Sequence, residues 1–467
     1  MERSIFASLS PLDHRYYATF PELFAELAKY FSEDAMIRYE LRVEAALTRG
    51  LSKRGICPVT AAEEVSRACA EITPEEVYAE EEKTKHNIRA LVNCIQRRVS
   101  AAAKPFVHFT ATSVDIMDTA NALRFMEANR DLVLPMTACL LRILIKLAKE
   151  NKDTVQVGRT HGQHAVPITF GFAMAQYVSR LGGRWEAMAK TGANLRGKLA
   201  GAVGAYNAAS LFVDDPVAFE EEVLAELDIK PSPISTQIVQ AEFLADYIHS
   251  VISAFGVLAN LADDLRHLQR SEIAEVSEAF GEHQVGSSTM PHKRNPWNFE
   301  NVKSMWKEFM PRMTTLYLDQ ISEHQRDLTN SASGRFVPEI VIGYLASVQR
   351  LINVLSRLRV DQEQLRRNLE ISKEMVIAEP LYLLLANAGH PNAHEAVRRL
   401  TLLSQETGRT LRELLPEQQE LQPYLERFTP EQRRVLEQPE TYTGLAARKT
   451  VAICAEWEAK IGPGEAS

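Results

Sequence analysis

The sequence predicts an all-α protein of three helical domains arranged around a central bundle of long helices. Three observations carry this expectation. Long stretches nearly free of glycine and proline place apolar residues at three- and four-residue steps. Alternating β-branched runs bounded by turn dipeptides are almost absent, so a large sheet is not expected. At 467 residues the chain exceeds what one small core accommodates, and two or three domains follow.

The elements can be taken in order. Up to about residue 110, short helical patterns alternate with turns such as "RGICPVT" and "AEITPEE", which predicts a first domain over 1–110. Residues 111–365 hold the long helices of the bundle. Rods are expected over 115–150 (kinked at Pro135), 168–200, 242–279, 296–326 and 337–370. In 242–279 the residues Phe243, Tyr247, Val251, Phe255, Leu258, Leu261, Leu265 and Leu268 share one helix face. A rod of that length is roughly 50 Å long. The pattern breaks at "AEPLYLLLANAGHPNAHEAVRR", and shorter helices make a third domain over 366–467. Such rods carry more apolar face than one five-helix layer covers, so chains are expected to associate side by side.

Composition narrows the partners. The net charge is −8, with no run of lysines and arginines, which argues against nucleic acid or a membrane surface. The five cysteines are odd in number and scattered, and none forms a CxxC pair. They predict reduced thiols, a cytoplasmic protein and no zinc site. Neither a leader nor a membrane span is expected from the apolar pattern.

Four polar clusters stand out. "VGSSTMPHKRNPWNFEN" (285–301) places Gly286, Ser287, Ser288, Lys293 and Asn295 just before a helix start. Asn295-Pro296 reads as a cap, and the positive helix end beside Lys293 would seat a carboxylate. A solvated connector is the bland alternative. "GRTHGQHAVPITFG" (158–171) carries His161 and His164. No acid or cysteine nearby completes a metal set, so proton transfer is the better use of a histidine in a turn, with Glu300 a candidate orienting acid. In "VHFTATSVDIMDTANAL" (107–123), His108, Thr112 and Ser113 precede a long helix, and the hydroxyls would serve equally as caps. In "HQRDLTNSASGR" (324–335), Arg326, Ser331 and Arg335 would suit a phosphate clamp, a weak signal by spacing alone.

These clusters, in this order, resemble the fumarase/aspartase superfamily through "HFTATSVD", "GRTHGQHAVPITFG" and "GSSTMPHKRNP". Within it, "SPLDHRYY", "TKHN" (84–87) and "QRDLTNSASGR" look like the adenylosuccinate lyase family. The resemblance implies a homotetramer whose core bundle holds about twenty helices. It also implies active sites that each draw one motif region from three subunits. The implied reaction is β-elimination of fumarate from adenylosuccinate, giving AMP, and from SAICAR, giving AICAR. By the same resemblance Ser287 is the general base and His161 the general acid, with Glu300 its carboxylate partner. Lys293 and Asn295 stabilise developing charge, and His86 contacts substrate and assists proton transfer. Thr112 and Ser113 hold the succinyl carboxylates, with Gln237 close by, while Arg15, Tyr16, Arg326, Ser331 and Arg335 match phosphate and ribose contacts. Lys85, Asn87, His108 and Ser288 complete the implied substrate contacts. No cofactor and no metal are implied.

The sequence departs from the family pattern at two places. Asn87 stands where aspartate is common after the histidine, and "VQAEF" (239–243) replaces a more charged stretch after Gln237. Sister lyases, such as argininosuccinate lyase or a carboxymuconate cycloisomerase, share the serine and lysine but need no phosphate clamp. A serine hydrolase would need a GxSxG or SxxK motif at Ser287, and neither is present there. A helical scaffold would explain the rods but not the polar loop.

Overall fold

The computed structural model describes residues 5–281 and 286–463. It is mostly helical. The helices used below are α1 (Pro21–Phe31), α2 (Glu33–Lys53), α3 (Val59–Glu71), α4 (Pro74–Thr84), α5 (Asn87–Arg98), α6 (Ser113–Ala128), α7 (Leu134–Glu150), α8 (Phe170–Gly192) and α9 (Pro216–Ala225). They are followed by α10 (Glu242–Leu268), α11 (Trp297–Phe309), α12 (Arg312–Asp319), α13 (Val337–Leu355), α14 (Gln362–Val376), α15 (Ala378–Asn387) and α16 (Ala393–Thr407), with Ala446–Ile461 (α17) near the end.

The expected helix faces form, but several ends differ from the sequence expectation, each for a physical reason. The 242–279 rod stops at Leu268. Ala274 turns the chain back through a left-handed conformation (φ 52°), and Val276–Ser277 pairs antiparallel with Arg359–Val360. The 296–326 rod is cut by Pro311 into α11 and α12, because proline removes a donor and clashes with the preceding turn. The 337–370 rod breaks after Leu355, and Asp361 caps a new helix by accepting the Gln364 N–H at 2.9 Å. The 115–150 rod is interrupted by a π-helical turn over Asn129–Val133, just ahead of Pro135.

Strands play a small part. Among the described residues there are three two-stranded sheets, of which Val155–Thr160 (β1) against Gln163–Thr169 (β2) is the longest. Placing 168–200 on one helix ran about two residues too far at its start and about eight at its end, since α8 covers Phe170–Gly192.

By their internal contacts the residues group into two compact units. The first comprises 1–137, 183–258 and 304–349, and the second 138–182, 259–303 and 350–467. In the first, Phe255 of α10 packs against Phe309 and Tyr344, and Tyr247 against Phe125. Each fully buried side chain of this size contributes about 1.5–3 kcal/mol of apolar burial. Among the described residues α10 is the one helix long and apolar enough to cross a membrane, and 67% of its most apolar window is buried inside the protein. In the second unit, Ile377, Leu381, Leu385, Val397 and Leu400 centre a core shared by α15 and α16.

Candidate active site

In the first unit, the "TKHN" motif forms the turn between α4 and α5. Lys85 closes α4 in a left-handed conformation (φ 53°), and His86 caps α5 by accepting the Arg89 N–H on Nδ1 at 3.3 Å. A neutral ring in that role carries its proton on Nε2. His86 and Lys85 are exposed, whereas Asn87 is half-buried and its amide reaches Met117 Sδ at 3.6 Å.

The next loop feeds α6, whose first residue is Ser113 and whose cap is Thr112. Asp115 locks this helix start. One carboxylate oxygen accepts the Thr112 N–H at 2.8 Å, and the other accepts Lys198 Nζ. Asp115 and Lys198 are both fully buried, and the Gly201 N–H adds a further bond to the carboxylate. His108, four residues before Thr112, has a left-handed backbone (φ 62°) and sits 2.6 Å from Glu44 of α2.

Asp118, one turn along α6, accepts the Val239 N–H at 2.8 Å. That bond fixes the segment after Gln237, whose own N–H is donated to the Gln325 carbonyl at 3.4 Å. Burial pushes the Asp118 carboxyl up to about 6, against the Val239 N–H and the charges of Lys198 and Arg326. Gln237, Asp118 and Arg326 thus belong to one neighbourhood, where Gln325 Oε1 is buried without a partner among the described residues. Arg326 itself donates from Nε to the Asp327 carbonyl at 3.0 Å. Ser331 and Arg335 are exposed, and Arg335 faces Tyr78, whose hydroxyl is pushed up to about 12 by burial and by its bond to Glu33. Arg15 is exposed and Tyr16 half-buried in a short turn over Leu12–Tyr16.

In the second unit, His161 occupies the tip of the β1–β2 hairpin. His161 (φ 55°) and Gly162 (φ 75°) both take positive φ between the paired residues Thr160 and Gln163, the geometry of a type I′ turn. A left-handed histidine costs about 1–2 kcal/mol, and it leaves the imidazole exposed at the apex. The hairpin is fastened below this tip. Fully buried Glu275 accepts Gln156 Nε2 at 2.7 Å, Arg159 Nη2 at 2.5 Å and Asn368 Nδ2 at 2.8 Å. His164 is held by Ser372 Oγ at 2.7 Å.

The serine loop is ordered by its own backbone. Ser287 Oγ accepts the Met290 N–H at 3.1 Å and more weakly the Thr289 N–H at 3.4 Å. Asn295 Nδ2 donates to the Gly286 carbonyl at 2.9 Å, and a Cβ at Gly286 would lie 2.1 Å from the Lys293 carbonyl, so only glycine fits there. Ser288 and Lys293 are exposed.

Two expectations for this loop need correction. Asn295 does not cap α11, and the helix end is not a vacant carboxylate seat. Glu278 fills it, accepting the Asn298 and Phe299 N–H groups at 3.1 and 3.2 Å and Asn298 Nδ2 at 2.6 Å. Nothing in local sequence marks an acid twenty residues upstream as a cap. Glu300 lies exposed in the first turn of α11, and among the described residues neither it nor His161 has a side-chain hydrogen bond. Glu44, Asp118 and Glu278 were missed by sequence reasoning. Only Asp118 left a signal, since it lies three residues after Asp115 on the same helix face.

Comparison with known proteins adds family to geometry. A lyase family model matches residues 14–310, and one for the adenylosuccinate lyase C-terminal region matches 322–433. Adenylosuccinate lyase of Archaeoglobus fulgidus is 34% identical over 451 residues, covering 96% of this chain and 98% of its own. That of Pyrococcus abyssi is 36% identical, covering 94% and 96%. N-acetyl-S-(2-succino)cysteine lyase of Enterococcus italicus is 31% identical, covering 93% and 95%. In fold, the chain is similar to the 3-carboxy-cis,cis-muconate lactonizing enzyme of Pseudomonas putida, with a TM-score of 0.81 at 24% identity over 95% of this chain and 99% of that one. Similarity that runs nearly the whole length of both chains, joined to a C-terminal match of the same name, decides the matter: this chain belongs to the adenylosuccinate lyase family.

Proposed function

We propose that the protein eliminates fumarate from adenylosuccinate, leaving AMP, and from the succinyl-carboxamide precursor SAICAR, leaving AICAR. The reaction removes a proton from the succinyl carbon next to a carboxylate, breaks the carbon–nitrogen bond and returns a proton to the departing nitrogen. Ser287 takes the first proton and His161 supplies the second. A serine is a usable base only as its alkoxide. The Met290 and Thr289 N–H groups donated to Ser287 Oγ favour that charged form, and Lys293 adds its charge from the same loop. Asn295 holds the Gly286 carbonyl and so sets the loop that carries the base. No step needs a metal or cofactor.

Thr112, Ser113 and Gln237 bind the succinyl part, with Lys85, His86, Asn87, His108 and Ser288 around it, and Arg15, Tyr16, Arg326, Ser331 and Arg335 hold the phosphate and ribose. The active site is completed in a homotetramer of chains organised as 1–110, 111–365 and 366–467, one motif region coming from each of three subunits. Exposed His161 and Glu300, each lacking a side-chain partner among the described residues, support this assembly. Buried Cys57, Cys69, Cys94 and Cys454, all unpaired as thiols, support a cytoplasmic location.

The observation that carries the reading is the Gly286–Asn295 loop in the same chain as a C-terminal region of the adenylosuccinate lyase type. A second reading, elimination of fumarate from a succinylated thiol, is favoured by the relative of that activity and by Asn87 and the uncharged start of "VQAEF". Ultraviolet assays with adenylosuccinate, argininosuccinate and N-acetyl-S-(2-succino)cysteine separate the two readings. Turnover of adenylosuccinate above both controls is expected, and turnover of the thioether alone would replace the first reading with the second. His161→Ala and Ser287→Ala should each lower kcat at least about a hundredfold, about 2.7 kcal/mol of barrier. Near-normal turnover in both would refute their roles.

A further inference from the structure

Glu44 of α2 has no solvent exposure, yet it carries a carboxylate with a single side-chain partner. Its Oε1 lies 2.6 Å from His108 Nδ1, and its Oε2 is enclosed with no hydrogen-bond partner among the described residues. A buried anion with one oxygen unmet is tolerated only beside a compensating positive charge. The imidazole is the group in position to carry it. The His108 side chain keeps 20% of its surface exposed, and Nε2 makes no hydrogen bond among the described residues. It belongs to the loop that ends at Thr112 and Ser113, the start of α6.

Resting on the lyase reading above, we propose that Glu44 is a positioning residue that holds His108 as an imidazolium, so that Nε2–H donates to an oxyanion of the substrate. A neutral ring donating Nδ1–H to Glu44 would present a bare nitrogen lone pair at Nε2, which repels an anion. The carboxylate at Nδ1 therefore decides whether this motif attracts or rejects the substrate.

The groups around the ring agree with this role. Burial alone pushes the His108 pKa down, but the charge and hydrogen bond of Glu44 outweigh it and raise the pKa above the ordinary value. Asp115 of α6 adds to the rise, and Arg89 of α5 opposes it. Beside Glu44 stand Glu40, one turn earlier on α2, and Cys69 of α3, whose thiol is pushed far up, first by burial and then by Glu44. The oxyanion is a phosphate or a carboxylate, and the two can be told apart.

The test uses the full-length enzyme and its Glu44→Gln and His108→Gln variants. KM and kcat for adenylosuccinate are followed between pH 6 and 9, with competitive inhibition by AMP and by fumarate. Glu44→Gln should raise KM about tenfold at pH 8, with a much smaller change in kcat, and should move the alkaline loss of affinity to lower pH. A weakened AMP inhibition identifies the phosphate, and a weakened fumarate inhibition the carboxylate. An unchanged KM profile with both inhibitors unaffected would overturn the proposal. Should Glu44→Gln fail to fold, NMR titration of histidine Cε1 in the unaltered enzyme still decides, with the His108 signal identified by its loss in His108→Gln. A midpoint above about 6.5 is expected, and one at or below it overturns the proposal. Absence of adenylosuccinate cleavage in the unaltered enzyme would instead remove the lyase reading, and the titration would still report on the dyad by itself.

Discussion

Lys198 and Asp115 form a fully buried ion pair, and Asp115 also takes the Thr112 and Gly201 N–H groups. Removing the cation alone leaves a buried carboxylate uncompensated. Lys198→Met should therefore destabilise the fold by about 3–5 kcal/mol in urea unfolding, and a loss below about 1 kcal/mol would contradict the account. Asp118 titrates in the opposite sense to an ordinary ion-paired acid. Its folded value is raised to about 6, so between the unfolded value and 6 the native state binds the extra proton. Stability from this group is therefore present at low pH and lost as pH rises through about 6. Asp118→Asn should gain on the order of 3 kcal/mol over the unaltered chain at pH 8, and little near pH 4. Equal differences at both pH values would show that the carboxyl is not raised. At this scale the sequence marked the turn that carries His161 and the loop that carries Ser287, because unusual residues concentrate there. It gave no sign of Glu44, which meets His108 from another helix.

Helix faces were legible because apolar spacing is a local property. Tyr247, Val251, Phe255, Leu258, Leu261 and Leu265 of α10 are buried as the spacing requires, while Phe243 and Leu268 near its ends are half-buried. Helix ends were less so. Asp361, with Gln364 three residues on, is a capping signature that could have been read, whereas the end of α10 depends on Glu275 collecting donors from β1 and α14. The hairpin carrying His161 was read only as a turn, since its two strands lack a continuous alternating pattern. Docking of α17 rests on close approach. A Cβ at Gly182 of α8 would lie 2.4 Å from the Trp457 ring. Gly182→Val should cost about 1–3 kcal/mol and lower the thermal midpoint, and an unchanged midpoint would mean that α17 is free to move aside.

For the whole molecule, the proposed assembly would account for features that one chain leaves open. The Ser287 loop and the His161 turn are each braced by their own surroundings, while Glu300 and His161 remain without side-chain partners among the described residues. The proposed division of one site among subunits was legible only through motif resemblance, because no local pattern encodes which protomer would supply which group. The phosphate clamp belongs here too. Arg335→Ala should raise KM for adenylosuccinate several-fold, more than it changes fumarate release from bound substrate, and an unchanged KM would count against the clamp.

Mixing two inactive variants probes the proposed shared site most directly. Purified His161→Ala and Ser287→Ala enzymes are dissociated together, reassembled and assayed for fumarate release. If the acid and the base come from different protomers, random reassembly restores activity at about a quarter of the sites. If both come from one chain, every site keeps a defect, and the mixture stays as inactive as its components.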